Sequence, residues 1–281
     1  MMTATTDLAV KISKDSQWVL IGVFALMATL ETVAPWRKLQ LPTVQRWTLH
    51  SLLYLFGAVF FPLIFGAGSV AVAIAVAGSP HALLTRREIP YALQFAAWIL
   101  AVDLLRYGLH RLYHSVSWLW RIHLLHHSDR DFDFTNEFRF HPFEGTLSQA
   151  VFLAAIVLLA PPPLAVAVDA VLVIVFGMFE HVNVKLPAAA ERILRRAVIT
   201  PGLHRIHHSM DEREQHQNLG TVFVWWDRLF GTYAETPSRG FEAMEFGVEE
   251  VGLAECIRPL HMLVAPFRSF EKRPVPEPPP Q

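Results

Sequence analysis

The stretch 103-DLLRYGLHRLYHSVSWLWRIHLLHH-127 decides how the rest of the chain is read. It holds five histidines within eighteen residues. His110 and His114 stand four apart, and His123, His126 and His127 follow as H-x-x-H-H. Side chains three or four positions apart share one face of a helix, so each group aims its imidazoles to one side. Asp103 lies seven residues before His110, on the same face about two turns earlier. Far downstream the H-x-x-H-H pattern recurs as His204, His207 and His208. Eight imidazoles meeting at one place would be hard to explain without metal.

Outward from this stretch the chain is apolar. Its 281 residues are 53% hydrophobic, with a mean hydropathy of +0.33. That is too apolar for an ordinary soluble domain and fits a membrane protein. A formal net charge of -1 gives no basic character that would point to nucleic acid. The one cysteine, Cys256, excludes an intrachain disulfide and a cysteine-ligated zinc or iron–sulfur site. Histidine must then carry any metal chemistry. The first sixteen residues, with Asp7, Lys11, Lys14 and Asp15, do not read as a cleavable signal. The apolar run behind them is long and ends at Glu31 without a small-residue cleavage site.

Taken in order, residues 17–30 with their flank to Trp36 predict a first span, since about 20 apolar residues cross a bilayer. Residues 49–78 exceed one span, and Pro62 and Gly66 to Gly68 mark a kink or a break; one long tilted helix is the favoured reading. Residues 89–109 predict a further span that runs into His110. Residues 110–146 are polar and basic and lie outside the membrane. In the apolar stretch 147–182, Pro161, Pro162 and Pro163 predict the turn of a helical hairpin with both ends on one side. Residues 183–240 are polar again, and Lys185, Arg192, Arg195, Arg196, Arg205 and Arg213 favour a cytoplasmic face. The chain thus divides into membrane helices (1–109), a first histidine segment (110–146), the hairpin (147–182), a second histidine segment (183–240) and a C-terminal segment (241–281), all serving one function. The Pro-rich tail EKRPVPEPPPQ reads as disordered. Arg37, Lys38 and Arg46 pull the N-terminus to the outside, Arg86 and Arg87 to the inside.

Neutral imidazole suits iron, zinc and copper. The eight boxed histidines, with His141 in RFHPFE and His181 in FEHVNV as further candidates, exceed the six ligands one metal takes. Two metals sharing the set fits better, at the mouth of a helical bundle where a lipid is reached from the bilayer. The H-E-x-x-H of zinc peptidases is absent. All-nitrogen ligation with open positions suits two irons that activate oxygen against an unactivated C–H bond. No C-x-x-C-H haem attachment and no G-x-G-x-x-G fingerprint occurs, so the electrons come from a separate protein. A metal transporter would instead need histidines or carboxylates inside its spans, which hold almost none. A membrane metallohydrolase would need a general base, with Glu144 and Glu180 nearest.

The order H-x-x-x-H, H-x-x-H-H, H-x-x-H-H resembles that of the fatty acid hydroxylase / sterol desaturase superfamily. Here it reads DLLRYGLHRLYH, LWRIHLLHHSD and TPGLHRIHHS. RFHPFE, FEHVNV and NLGTVFVWWDRLFGTY look like the bacterial members, and the likeness covers roughly residues 95–235. It implies an all-α integral-membrane bundle of four to five transmembrane helices, capped by a cytosolic helical domain that holds a histidine-rich dimetal site. It implies two iron ions per chain, O2, a lipid substrate, a separate ferredoxin- or cytochrome-type electron donor, and the inner membrane of a bacterium. By the family's pattern His110, His114, His123, His126, His127, His204, His207 and His208 carry over as metal ligands. His181 matches the family's extra histidine before the last box, and His141 is common in this branch. Asn183 follows in the family's H-x-N step as a group placed behind the ligands.

Ligating histidines need partners for their other ring nitrogen, and Asp103 and Glu180 are placed to serve. A plainer reading of Asp103 is an ion pair with Arg106 at the helix end. His216 reads as a loop residue or a group behind the ligands rather than a ligand, and His50, His81 and His261 as structural. Trp225, Trp226 and Phe230 read as packing or interfacial groups, with Asp227 and Arg228 as a structural pair.

Overall fold

Long apolar runs leave the backbone no partner but itself in a bilayer, so they fold as helices. The computed structural model describes residues 2–66, 68–79, 82–85 and 88–267, and these are helical with no extended strand among them. The sequence readings at His81, at Arg86 and Arg87 and over the tail 271–281 lie outside the described residues. Five segments are long and apolar enough to cross a membrane: Ala4–Val33, Thr43–Val76, Tyr91–Ser115, Pro142–Leu159 and Pro163–Glu180. The chain is a multi-pass membrane protein. Leu52, Leu55, Val59 and Leu63 on one of these helices are more than half exposed, as lipid-facing side chains are.

Helix α1 (Met2–Val33) begins earlier than the sequence suggests and takes in the charged first sixteen residues. Helix α2 (Thr43–Phe65) corrects the reading of one long helix over 49–78. It stops before Gly66, whose φ of 72° is the left-handed turn that ends a helix, and α3 (Ser69–Val76) starts anew behind Gly68. Hydropathy alone runs unbroken through this point, because glycine interrupts a helix without making it polar. Helix α3 packs its Ala73 against Trp98, Val102, Ile156, Ala165 and Val166.

Helix α4 (Tyr91–Ser115) carries His110 and His114 in its last two turns, and α5 (Ser117–His127) follows after Val116. A 3-10 turn (Phe134–Phe138) leads to α6 (Pro142–Leu159) and α7 (Pro163–Glu180), the hairpin read from the sequence. Ala160 caps α6 in the left-handed region at φ 45°, and Pro163 opens α7 where a missing N–H costs nothing. Short helices complete the polar layer: α8 (Ala188–Leu194), α9 (Pro201–His207), α10 (Glu212–Gln215), α11 (Trp225–Phe230) and α12 (Pro259–Val264).

The segment joining α1 to α2 straps this layer to the bundle. Trp36 N donates to Asn183 O at 2.7 Å, and Arg37 donates to the carbonyls of Phe241 and Met244. At the start of α2, Arg46 is fully buried and donates to Asp129, Asp133 and Asn136. Burial alone would raise the Asp129 carboxyl, but Arg46 and Arg139 beside it hold it down at about 2. Asp133 also caps the 3-10 turn by accepting from Thr135 N at 2.9 Å. This network fixes the segment 129–139 that lies between the histidines of α5 and α6.

Candidate metal centre

Four helix C-termini converge on one place. His114 lies in the last turn of α4, His126 and His127 in the last turn of α5, His204 and His207 in that of α9, and His181 caps α7. Carbonyl ends and helix dipoles make such termini favourable for cations.

There the structure gathers nine imidazoles in two adjoining groups. One nitrogen each from His110, His114, His123, His127 and His207 lie within 4.8 Å of one another, and so do those of His126, His181, His204 and His208. The two groups touch where the His127 and His208 rings stack at 4.3 Å between centroids. Helix geometry sorts the boxes. In an H-x-x-H-H box the first and last histidines are 40° apart around the axis, on the order of one ring width, and the middle one is turned to their other side. So His123 and His127 enter the first group and His126 the second, while His204 and His208 enter the second and His207 the first.

The tautomers are fixed from behind. A carbonyl only accepts, so His110 Nδ1 donates to Leu219 O at 2.9 Å, His207 Nδ1 to Gln217 O at 3.0 Å and His181 Nδ1 to Gly177 O at 2.7 Å. His123 Nδ1 meets Glu144 Oε1 at 2.6 Å. Each of these rings therefore turns a bare Nε2 lone pair into the site, the arrangement that ligating histidines use. The Nε2 atoms of His110, His114, His123 and His207 are buried with no hydrogen-bond partner. Burial pushes the His123 imidazole down to about 3, and burial together with the neighbouring rings holds His126, His127, His204, His207 and His208 well below the usual range. All are neutral ligand forms at neutral pH.

In the second group the Nε2 atoms of His181, His204 and His208 form a triangle with edges of 3.0, 3.1 and 3.2 Å. His181 has no proton there, so no placement of protons satisfies all three edges, whereas a cation takes all three lone pairs. The residues thus fit metal on their own geometry.

Behind them lies a cavity of about 370 Å³ between α2, α4, α6 and α7. Leu53, Phe56, Phe61, Phe138 and Phe152 give it apolar walls, and His110, His123, His126, His181 and His204 stand at its polar end. Phe56, 49% exposed on the outer face of α2, stands between the cavity and the lipid-facing surface.

Several expectations are corrected. His141 stands apart from both groups: its Nδ1 accepts from Phe143 N as the cap of α6, and its Nε2 lies 3.2 Å from Leu263 O. Asn183 is used up by the strap, donating to Arg37 O at 2.7 Å and accepting from Arg37 N. Asp103 touches no histidine and does not pair with Arg106, which takes Asp169 instead at 2.6 and 2.7 Å. Asp103 accepts from Val222 N, Phe223 N and Trp226 Nε1. Asp227, likewise, accepts from Leu219 N and Gly220 N rather than pairing with Arg228. These two aspartates hold the loop whose carbonyls orient His110 and His207. Glu180 lies beside His204, Oε1 to Nε2 3.8 Å, without a hydrogen bond. His216 is near His114, at 5.8 Å between rings, outside the groups.

Sequence reasoning missed Glu144 as the partner of His123; the i to i+21 spacing across a loop carries no periodic signal. Glu144→Ala is expected to lower metal affinity by about 10–100-fold, as loss of a ligand's orienting group does. Metal retained against a graded chelator measures it, and unchanged retention contradicts the role.

Residues 95–232 match the family model described as Fatty acid hydroxylase. The chain is 30% identical over 228 residues to an ornithine lipid hydroxylase, OlsE, of Rhizobium tropici, which covers 78% of this chain and 67% of that protein. It is 31% identical over 150 residues to an alkylglycerol monooxygenase of Danio rerio and 31% over 135 residues to that of Homo sapiens. The matched region is 32% and 29% of those two longer proteins and about half of this chain. No solved structure matches. The family match takes in both histidine groups, and with the ornithine lipid hydroxylase matched over two thirds of its length the chain belongs to the fatty acid hydroxylase family and is an oxidoreductase.

Proposed function

We propose that this chain is a membrane-bound non-haem di-iron oxygenase that hydroxylates a lipid. The observation that carries the reading is the pair of imidazole groups at the polar end of an otherwise apolar cavity within the helix bundle. The relatives named as hydroxylase and monooxygenase favour oxygen insertion over desaturation. The lipid C–H bond, O2, two electrons and two protons would give the alcohol and water. When bound, the two irons supply the activation of O2 and the oxidation of the C–H bond.

The chain's own part is placement. His110, His114, His123, His127 and His207 would hold one iron, and His126, His181, His204 and His208 the other. Gln217, Leu219, Gly177 and Glu144 keep Nδ1 protonated and Nε2 free. Phe56, Phe61, Phe138 and Phe152 line a slot for an alkyl segment and exclude water from the reacting end. With Lys and Arg gathered in residues 183–240, the site faces the cytoplasm of a bacterial inner membrane, where a ferredoxin- or cytochrome-type donor reaches it.

Protein purified without oxygen is expected to hold one iron per histidine group and to consume O2 when given reductant and host lipid. Deleting the gene should remove from the host's lipid extract a species one oxygen atom heavier than its precursor. A single zinc with no iron, or an unchanged lipid profile, would sink the reading.

A further inference from the structure

The two groups are unequal: five nitrogens gather in the first and four in the second. Beside the second lie two carboxylates that the ligand set above does not use. One oxygen each of Glu137 and Glu180 and a nitrogen of His181 lie within 4.8 Å of one another.

We propose that Glu180 supplies an oxygen ligand to the metal of the second histidine group, with Glu137 as its neighbour across the open side. This rests on the dimetal reading above. Glu180 Oε1 is 3.8 Å from His204 Nε2, a corner of the nitrogen triangle. Glu180 is 4% exposed and lines the cavity, and its Oε2 is buried with no hydrogen-bond partner. A carboxylate in that position lacks compensation until a cation or a donor reaches it. The nearby cation does not serve, because both arms of Arg106 are taken by Asp169.

Glu137, less deeply buried at 14% side-chain exposure, adds a second carboxylate there. Among the described residues its carboxylate has no hydrogen-bond donor, and its nearest ring nitrogen is His181 Nδ1 at 3.9 Å, already given to Gly177 O. Room for it is made by Gly177, where a Cβ would come within 2.1 Å of the Glu137 carboxylate.

Charge argues the same way. Nine neutral imidazoles bring no negative charge to two dications in an apolar cavity. At the first group Glu144 compensates through His123. At the second, Glu180 and Glu137 do so directly. The second ion is then held by a mixed nitrogen and oxygen set, a harder site than the first.

The test loads full-length, metal-stripped protein with Co²⁺ in detergent, followed by calorimetry and visible absorption. Wild type should show two binding steps. In Glu180→Gln the step belonging to the second group weakens by at least about tenfold, the lower bound for loss of an orienting group, and its visible bands shift. The other step stays put. Glu180→Asp keeps a carboxylate and should bind the second Co²⁺ more tightly than Glu180→Gln. Two unchanged steps in Glu180→Gln, equal weakening of both steps with helix content intact, or equal loss in the Asp and Gln variants would each overturn the proposal. Wild type that takes up only one Co²⁺ overturns the dimetal reading itself.

Discussion

His207→Ala is expected to abolish turnover while leaving one metal ion in place, and His208→Ala to abolish turnover while leaving the other. The two residues are neighbours in sequence, yet their rings enter different groups. His207 offers Nε2 beside His110 and His114, oriented through Nδ1 by Gln217 O at 3.0 Å. His208 offers Nε2 to the triangle with His181 and His204. Loss of a group that merely orients a ligand costs about 10–100-fold, so loss of the ligand itself should exceed a fall of about a hundredfold. Metal content per chain together with O2 consumption reads both effects. Turnover that survives in His207→Ala contradicts its role, and removal of both ions by either variant contradicts the division into two groups.

Arg46→Ala is expected to cost more stability than any surface change. Arg46, Asp129 and Asp133 are all fully buried side chains, and Arg46 donates to both carboxylates. Removing one partner of such a pair strands the others, at a cost of about 3–5 kcal/mol. Asp129 keeps Arg139 at 3.9 Å, but Asp133 retains only the Trp47 indole, Thr135 and its own turn. Arg46→Lys keeps the charge without the planar fork and should fall between the two. The thermal midpoint in detergent measures this. A midpoint for Arg46→Ala equal to wild type would remove the network from the account of the fold.

How legible was this in the sequence? The eight boxed histidines and His181 were readable because spacing of three and four on a helix translates directly into direction. The ligand count exceeds what one metal takes, and the structure gathers the rings in two groups. What was not readable came from contacts without a side-chain signature. The carbonyls of Gln217, Leu219 and Gly177 orient three rings, and any residue type supplies a carbonyl. Asp103 shares a helix face with His110 by spacing, but its partners lie at Val222, Phe223 and Trp226, 119 or more residues away, where no local spacing points. His141 shared the composition of its neighbours, yet Pro142 behind it made it a helix cap. Hydropathy does not register the break at Gly66, since it weighs transfer to lipid and is blind to φ.

Because two consecutive imidazoles enter opposite groups on both α5 and α9, the gap between the two groups is set by the pitch of two short helices. Those helices act as rulers. A single residue inserted between His123 and His126 would turn everything after it by roughly 100° and scatter the downstream rings. Point changes elsewhere on α5 that keep its length leave the ruler intact, so alterations in length should be far less tolerated along these turns than alterations in kind.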